Sequence, residues 1–268
     1  MIIIDPHPFV FKQVKTMLRE LCDKPKYEKT MVVLGYNVMN CSEARRLKAK
    51  HPDHKLVIYN MEQLYRGSPW INSNTRVWFE QADEIWDYNL ENIQFFSDVL
   101  GYRASYHPVK WVESLKTIEQ VKPEDMLYDV LFYGEETPRR TKLIGAMRAA
   151  HRDWAVITAT GVTGKALDYL IAHSKIILNI HAFPQYQCQE IVRMFYPLIN
   201  GKCIVSEPSR NDNYAGDSIV YSSYDNMIET VNGLLTDGKW IKVASEASDR
   251  FRRHTTAKRA CTGEKASS

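Results

Sequence analysis

The sequence predicts an α/β protein made of two Rossmann-like domains joined by a connector. Three observations predict this fold. Short apolar runs alternate with helical patterns through most of the 268 residues. The alternation weakens once, between residues 111 and 126, where charges and a proline replace the strong apolar positions. It then restarts with cleaner strands, so we expect mainly parallel sheets in two domains, at 1–120 and 121–268.

The first half contains five strand patterns, each a short run of apolar residues. They cover residues 1–4, 30–34, 55–60, 84–86 and 104–107. Helical patterns separate them, with apolar residues recurring at intervals of three and four. These helices are predicted at 9–21, 41–50, 77–82 and 90–100, the last ended by Gly101.

The second half repeats the alternation with five more strand patterns. The strands are predicted at 128–133, 154–159, 175–180, 202–206 and 218–221. The helices are predicted at 138–151, 165–172, 189–199, 224–235 and 240–253. We expect a flexible tail from about residue 255, and the C-terminal helix is free to pack back on the first domain.

The composition excludes several classes of protein. Apolar residues make up 44% and charged residues 25%, as in ordinary globular proteins, so a disordered, collagenous or coiled-coil chain is excluded. The net charge of +3 permits a polyanionic partner without requiring one. We expect no membrane span, because no run of about 18 apolar residues occurs. Five scattered cysteines without a CxxC pair favour reduced thiols and a cytoplasmic protein, in the host cell if the chain is viral.

A basic turn follows the first strand of the second half. Gly134 ends the strand at 128–133, and Thr137 is placed to cap the helix that follows. A helix N-terminus binds anions through its free backbone N–H groups, and Arg139 and Arg140 add positive charge beside it. These residues predict the neighbourhood of a diphosphate. The alternative is a solvated basic turn.

A glycine-containing loop follows the next strand, at residues 158–164. Thr160 and Gly161 are placed where a backbone can approach a ligand closely. Gly161 and Gly164 form only a GxxG pair, so the loop lacks the GxGxxG fingerprint of dinucleotide-binding proteins. An NAD-dependent oxidoreductase is therefore disfavoured. The alternative for this loop is an ordinary turn.

Polar residues also follow the next two strands. His181 closes the most hydrophobic strand, and its alternative is a satisfied structural histidine. Glu190 opens the following helix with Arg193 three residues later, and Glu207 follows the next strand. Because neighbouring parallel strands end at one edge of a sheet, the two carboxylates are expected on the same side, where they can hold sugar or ribose hydroxyls. For Glu190 the alternative is an ion pair with Arg193 at a helix start.

The first half offers two carboxylates at strand ends. Glu62 follows the strand at 55–60, and Asp87 follows Trp86 in the next strand. Both are candidates for an acceptor-side surface. Asn89 is equally suited to cap its helix.

The ordered set of these segments resembles the GT-B type nucleotide-sugar glycosyltransferases, and more narrowly the small bacterial and viral glycosyl-transferase-1-like and CgeB-like proteins. The resemblance covers most of the chain. The matching segments are IYNMEQL at 58–64, ADEIWDYNLENI at 82–93, YHPVKW at 106–111, YDVLFYGEETPRR at 128–140, SKIILNIHAF at 174–183, QEIVRMFYPLINGKCIVSE at 189–207 and SSYDNMIETVNGLL at 222–235.

The resemblance implies two facing Rossmann-like domains with a cleft between them. It implies an acceptor-side domain at 1–120 and a nucleotide-sugar-binding domain at 121–268. The diphosphate would lie near the turn after residue 133, and Glu190 would contact the sugar or ribose of the donor. The predicted donor-binding residues are Gly134, Arg139, Arg140, Thr160, Gly161, Glu190, Arg193 and Glu207.

The chain departs from the family pattern in one respect that concerns the reaction. Many retaining relatives carry two glutamates with seven residues between them, whereas Glu190 and Glu207 lie 207 − 190 = 17 positions apart and Leu198 takes the expected place. The stereochemistry therefore stays open. No DxD motif is present, so we expect no metal and no tightly bound cofactor, with a nucleotide-diphosphate sugar as co-substrate.

The resemblance thus implies an enzyme that transfers a hexosyl or pentosyl group, with a UDP-sugar favoured as donor, to an acceptor hydroxyl. The candidate bases are His181, Glu62 and Asp87, in no fixed order. The acceptor is a glycan, a protein, a small molecule or a hydroxymethylated pyrimidine in phage DNA. The alternative function is a non-catalytic nucleotide or nucleic-acid binding module of the same two-domain shape.

Overall fold

The protein was analysed as a computed structural model that describes residues 1–7, 11–185, 188–210 and 214–261, the last five without their side chains. The chain forms two compact units, Met1–Val109 and Lys110–Ser268. None of the described helices is long and apolar enough to cross a membrane.

The division lies at Val109 and Lys110, eleven residues before the predicted boundary of 120. The reason is that the start of the connector is bonded to the second unit. The indole Nε1 of Trp111 donates to Ser248 Oγ over 3.1 Å, and the backbone N–H of Ile118 donates to Asn200 Oδ1 over 2.9 Å. Because the apolar pattern in this stretch is weak, the sequence did not predict these two hydrogen bonds.

The described residues of the first unit form five strands and four α-helices, in the predicted order. The strands are β1 (Ile2–Ile4), β2 (Thr30–Val33), β3 (Lys55–Asn60), β4 (Glu84–Asp87) and β5 (Ala104–Tyr106). The helices are α1 (Lys12–Leu21), α2 (Ser42–Lys50), α3 (Ser73–Gln81) and α4 (Leu90–Phe95), and a π-helical turn (Phe96–Leu100) follows α4. The first residues predicted for α1, at 9 and 10, lie outside the described residues.

In the second unit, the part of the chain that the structure describes also forms five strands, with five α-helices. The strands are β6 (Tyr128–Tyr133), β7 (Val156–Ala159), β8 (Ser174–Asn179), β9 (Cys203–Ser206) and β10 (Val220–Tyr221). The helices are α5 (Pro138–Ala150), α6 (Gly164–Ala172), α7 (Ile191–Ile199), α8 (Met227–Thr236) and α9 (Lys239–Cys261).

Two helices differ from their predicted ranges. Helix α3 begins four residues early because Asn72 and Thr75 form a capping box, each side chain accepting from the other's backbone N–H. Helix α9 continues through residue 261, so the predicted tail from 255 is wrong over that stretch. Thr255 is buried, and its hydroxyl accepts from the backbone N–H of Trp111. Residues 262–268 of the predicted tail lie outside the described residues.

Both sheets are parallel, but their strand orders differ. In the first unit the order is β1-β2-β3-β4-β5, so the strands follow the chain. In the second unit the order is β10-β9-β8-β6-β7, so β6 lies between β7 and β8. The strand order therefore reverses between β6 and β8. Ligands of open α/β sheets bind at such a reversal, outside the carboxyl ends of the strands.

Each sheet buries its own apolar core, which holds the strand ends in place. Residues of β2 and β3 pack with α3 in the first unit, where Trp78 is fully buried. Residues of β6, β8 and β9 pack with α5 and α8 in the second unit, where Phe132 and Met147 are fully buried. At roughly 1.5–3 kcal/mol for each large apolar side chain, these cores are the main source of stability.

Candidate functional site

The candidate site is built on the carboxyl ends of β6, β8 and β9, beside the reversal in strand order. The register aligns Leu131 of β6 with Ile177 of β8, and Asn179 of β8 with Ser206 of β9. The three strands therefore end at one level, and their following residues share one edge. This edge carries most of the predicted donor-binding residues.

Helix α5 begins at this edge with a well-formed N-terminus. The Thr137 hydroxyl accepts from the backbone N–H of Arg140 and donates to the carbonyl of Ala182, over 3.0 Å. Pro138 occupies the first helical position, as predicted. The positive end of the helix dipole therefore lies beside the loop that follows β8.

An ion-paired cluster joins the residues after β6 to the start of α7. The Arg140 guanidinium is almost fully buried and donates to both Glu190 oxygens, at 3.1 Å each. Arg193 also donates to Glu190, which confirms the i,i+3 pair, and to Asn179 Oδ1 at 3.1 Å. Burial lowers the pKa of Arg140, while Glu190 opposes that change. Two guanidiniums thus share the Glu190 carboxylate at the strand reversal, and the Glu135 carboxylate also acts on Arg140.

Gly134 is required by this cluster. Its φ is +135°, in a region that residues with a side chain rarely adopt. A Cβ at this position would lie 3.0–3.1 Å from the guanidinium of Arg193. The glycine therefore lets the guanidinium lie directly on the backbone that follows β6.

A second ion pair lies next to this cluster, after β9. Arg139 donates to both oxygens of Glu207, over 2.6 and 2.5 Å, and to the carbonyl of His181 over 2.9 Å. The backbone N–H of His181 also donates to Glu207, over 2.8 Å. The guanidinium stacks on the Tyr224 ring, 3.9 Å from its centroid. In this second pair the positive and negative charges balance.

A pocket of about 610 Å³ adjoins the second ion pair. It is lined by His181, Pro184, Glu207, Pro208, Ser209, Arg210, Ser223 and Tyr224. Its size lies within the range of small-molecule sites. The sequence analysis did not single out Tyr224, Ser223 or Arg210. Tyr224 follows β10 as His181 follows β8, so the same strand-end argument could have found it.

The glycine loop after β7 lies beside Gly134. The Thr160 hydroxyl donates to the carbonyl of Gly134 over 3.1 Å. Gly161 has a φ of +70° and open space where a Cβ would lie. The structure thus brings Thr160 to the predicted site, and Gly161 adjoins it in the chain.

The two carboxylates of the first unit have different surroundings. Asp87 is fully buried, and its oxygens accept from Asn60 Nδ2, Asn92 Nδ2 and the backbone N–H of Asn89. Burial raises the pKa of Asp87 to about 8, although these hydrogen bonds lower it. Glu62 is only half-buried, and its side chain accepts from Asn37 Nδ2 over 3.1 Å.

Asp87 therefore anchors the ends of β3 and β4 from the inside. The same Asn60 accepts from the Tyr36 hydroxyl over 2.9 Å, and Asn92 also donates to the carbonyl of Glu62. Asn89 caps α4, accepting from the backbone N–H groups of Glu91 and Asn92. Of the two predicted bases in this unit, only Glu62 has an accessible side chain.

Within the described part of the chain, no group of three or more histidine, cysteine, aspartate or glutamate residues could hold a metal ion. The predicted absence of a metal requirement stays a prediction, because no reaction is observed.

Comparison with known proteins gives weak sequence relatives and strong structural ones. No model of a known protein family matches the chain. Three uncharacterised proteins of Acanthamoeba polyphaga mimivirus are 25%, 26% and 26% identical over 68%, 72% and 57% of this chain. The alignments span 63%, 28% and 51% of those relatives, so the chain corresponds to only part of their length.

Solved structures match almost the whole chain. HepE of Anabaena, in complex with UDP and glucose, matches with a TM-score of 0.60 over 96% of this chain and 84% of its own, at 11% identity. A sucrose-phosphate synthase of Thermosynechococcus elongatus matches with a TM-score of 0.54 over 94% and 75%, at 9% identity. A glycosyltransferase of Rickettsia africae matches with a TM-score of 0.53 over 92% and 76%, at 7% identity. The chain therefore has the GT-B glycosyltransferase fold, two Rossmann-like domains that each carry a five-stranded parallel sheet.

Proposed function

We propose that the chain is a glycosyltransferase that takes its sugar from a nucleotide-diphosphate donor held by the second unit. One observation carries this proposal: the guanidiniums of Arg140 and Arg193 lie together where the strand order reverses. A diphosphate carries the opposite charge, and a reversal in strand order is where open α/β sheets bind ligands.

The geometry supplies what the leaving diphosphate needs. Arg193 lies on the backbone at Gly134, and the N-terminus of α5 begins four residues further on. Positive charge and free backbone N–H groups stabilise the negative charge that develops when the glycosidic bond to the diphosphate breaks. Because Asn179 and Glu190 already hold Arg193, little reorganisation is needed during the reaction.

The sugar fits the pocket beside the second ion pair. There the charge of Arg139 is balanced by Glu207, so that ion pair supplies polar contacts without surplus charge for a second phosphate. Glu207 lines the pocket, and its Oε1 accepts one hydrogen bond among those described, from Arg139. A carboxylate oxygen can accept two, so Oε1 can also accept a hydrogen bond from a sugar hydroxyl. Donor and sugar would then occupy adjacent parts of one sheet edge.

A UDP-sugar is the preferred donor in this proposal. The support is that HepE, which has the same fold, was solved with UDP and with UDP-glucose. Glu62 is the preferred base in the first unit, because Asp87 is fully buried and saturated with donors. The acceptor is a hydroxyl of a glycan or of a hydroxymethylated pyrimidine in DNA, and the stereochemistry is left open by the spacing of the glutamates.

A thermal-shift panel of UDP-, GDP-, ADP- and CDP-sugars tests donor binding. A ligand that binds only the native state stabilises it by about 2.7 kcal/mol at a hundredfold excess over its Kd. We expect one nucleotide sugar to raise the Tm, and Arg193→Met to abolish that rise. The control is Lys142→Met, which removes an exposed positive charge from α5 and should leave the rise intact.

Turnover is then measured as release of the nucleoside diphosphate, with glycans and with hydroxymethylated DNA as acceptors. Release of the nucleoside diphosphate that depends on the acceptor and is lost in Glu62→Gln supports the proposed glycosyltransferase activity. Binding without release under any acceptor favours the alternative function, a nucleotide-binding module. No rise in Tm for any nucleotide sugar contradicts the proposal.

A further inference from the structure

His181, which lines the 610 Å³ pocket, has a buried ring nitrogen without a hydrogen-bond partner in the described part of the chain. His181 is 6% exposed, and its ring Nε2 lies 3.1 Å from the carbonyl oxygen of Pro208. Its other ring nitrogen, Nδ1, is buried, and it has no hydrogen-bond partner within the part of the chain that the structure describes. Buried polar atoms in native proteins nearly always have a partner, so this one needs an explanation.

The Pro208 contact determines which ring nitrogen carries the hydrogen. A carbonyl oxygen only accepts hydrogen bonds, so Nε2 must donate and therefore carries the hydrogen. In the neutral ring Nδ1 is then a bare lone pair, which only accepts.

We propose that Nδ1 of His181 accepts a hydrogen bond from a hydroxyl of the sugar that binds in this pocket. The inference rests on the proposed function, and it names the chemistry of the pocket: an uncharged hydroxyl donor, not a phosphate. The oxygens of an ionised phosphate carry no hydrogen to donate and are repelled by the lone pair. Because Nδ1 is covered in this conformation, the pocket wall yields locally when the sugar enters.

Two substitutions separate the two nitrogens of the ring. In His181→Asn the side-chain oxygen takes the place of Nδ1, so the acceptor is kept and the contact to Pro208 is lost. In His181→Gln the terminal amide takes the place of Nε2, so the donor to Pro208 is kept and the acceptor is lost. A purely structural histidine should tolerate glutamine better than asparagine, whereas the proposal predicts the opposite order for sugar binding.

The first measurement is the ring ¹⁵N spectrum of the full-length protein, labelled at histidine. We expect Nδ1 of His181 to be unprotonated and without a hydrogen bond in the free protein. UDP-glucose, GDP-glucose and ADP-glucose are then added in turn, each compared with its nucleoside diphosphate. The nucleotide sugar that binds should move the Nδ1 resonance, and the matching diphosphate should not.

The second measurement is the Kd of that nucleotide sugar and of its diphosphate. We expect His181→Gln to weaken the nucleotide sugar about tenfold, the cost of one buried hydrogen bond, and to leave the diphosphate unchanged. His181→Asn should weaken the nucleotide sugar less. Analogues that each lack one sugar hydroxyl identify the partner, because the analogue without it should bind wild type and His181→Gln equally.

The inference is overturned if Nδ1 is protonated or hydrogen-bonded in the free protein, or if asparagine weakens sugar binding as much as glutamine. It is also overturned if a bound nucleotide sugar leaves Nδ1 unmoved, while the proposed function still stands. If no nucleotide sugar binds, the proposed function fails instead. Glucose alone then decides the inference, by whether it shifts the Nδ1 resonance at high concentration.

Discussion

Replacing Gly134 with alanine should disturb both the fold and the donor site. At a φ of +135° an alanine costs about 1–3 kcal/mol in backbone strain. Its Cβ would also lie 3.0–3.1 Å from the Arg193 guanidinium, closer than ordinary van der Waals contact. Moving the guanidinium by a few tenths of an ångström lengthens its hydrogen bonds to Asn179 and Glu190. We therefore expect Gly134→Ala to lower the free energy of unfolding by about 2–3 kcal/mol.

The assay is urea denaturation followed by circular dichroism, together with the Kd of the nucleotide sugar. Gly145 provides the matched control, because it lies within α5 with a helical φ and open space where a Cβ would lie. Gly145→Ala should stabilise the protein by about 0.5–1 kcal/mol. Compared with Arg193→Ala alone, the double variant Gly134→Ala with Arg193→Ala shows only the cost of the backbone strain, because the guanidinium that crowds the Cβ is absent from both. Equal unfolding midpoints for wild type and Gly134→Ala would refute the reasoning.

Three further predictions concern buried charges. Burial raises the pKa of native Asp87 to about 8, whereas in the unfolded chain this carboxyl loses its proton near pH 4. The free energy of unfolding should therefore fall as the pH rises between these values, by up to about 1.4 kcal/mol per pH unit. Urea titrations at several pH values should show a shallower fall in Asp87→Asn. Burial lowers the pKa of Lys202 to about 8. The free energy of unfolding should therefore rise from pH 8 to pH 10, as the native amine loses its proton, and this rise should be absent in Lys202→Met. Glu190→Gln removes the carboxylate that binds both Arg140 and Arg193, and it should lower the free energy of unfolding by about 3 kcal/mol. Glu43→Gln, which breaks an exposed pair, should cost less than about 0.5 kcal/mol, and equal losses in Tm would contradict this contrast.

The alternation of elements could be predicted from the sequence because each element carries its own periodicity. The ten strands among the described residues lie where apolar runs predicted them, and Gly101 and Thr137 act as the predicted helix end and helix cap. Features that depend on distant partners were missed. The connector joins the second unit through bonds to Ser248 and Asn200, residues more than eighty positions away.

The candidate site was predicted in part for the same reason. Strand-end residues could be selected, and Gly134, Arg140, Glu190 and Arg193 do lie together. The pairing of Arg140 with Glu190 and of Arg139 with Glu207 could not be predicted, because these pairs span 50 and 68 positions of the chain. The pocket residues other than His181 and Glu207 could not be predicted either, because separate loops bring them together and no local pattern indicates that.

The strand order of the two sheets has a consequence for how the chain folds. In the first unit every strand pairs with its neighbours in the chain, so each βα segment can be added as it leaves the ribosome. In the second unit β6 pairs with β8, whose residues lie about 46 positions later in the chain. Both of these central strands must be present before the sheet can form. Contacts between distant segments slow folding, because the loop between them must close first. We therefore expect refolding in two kinetic phases, with the first unit forming its protected amides before the second.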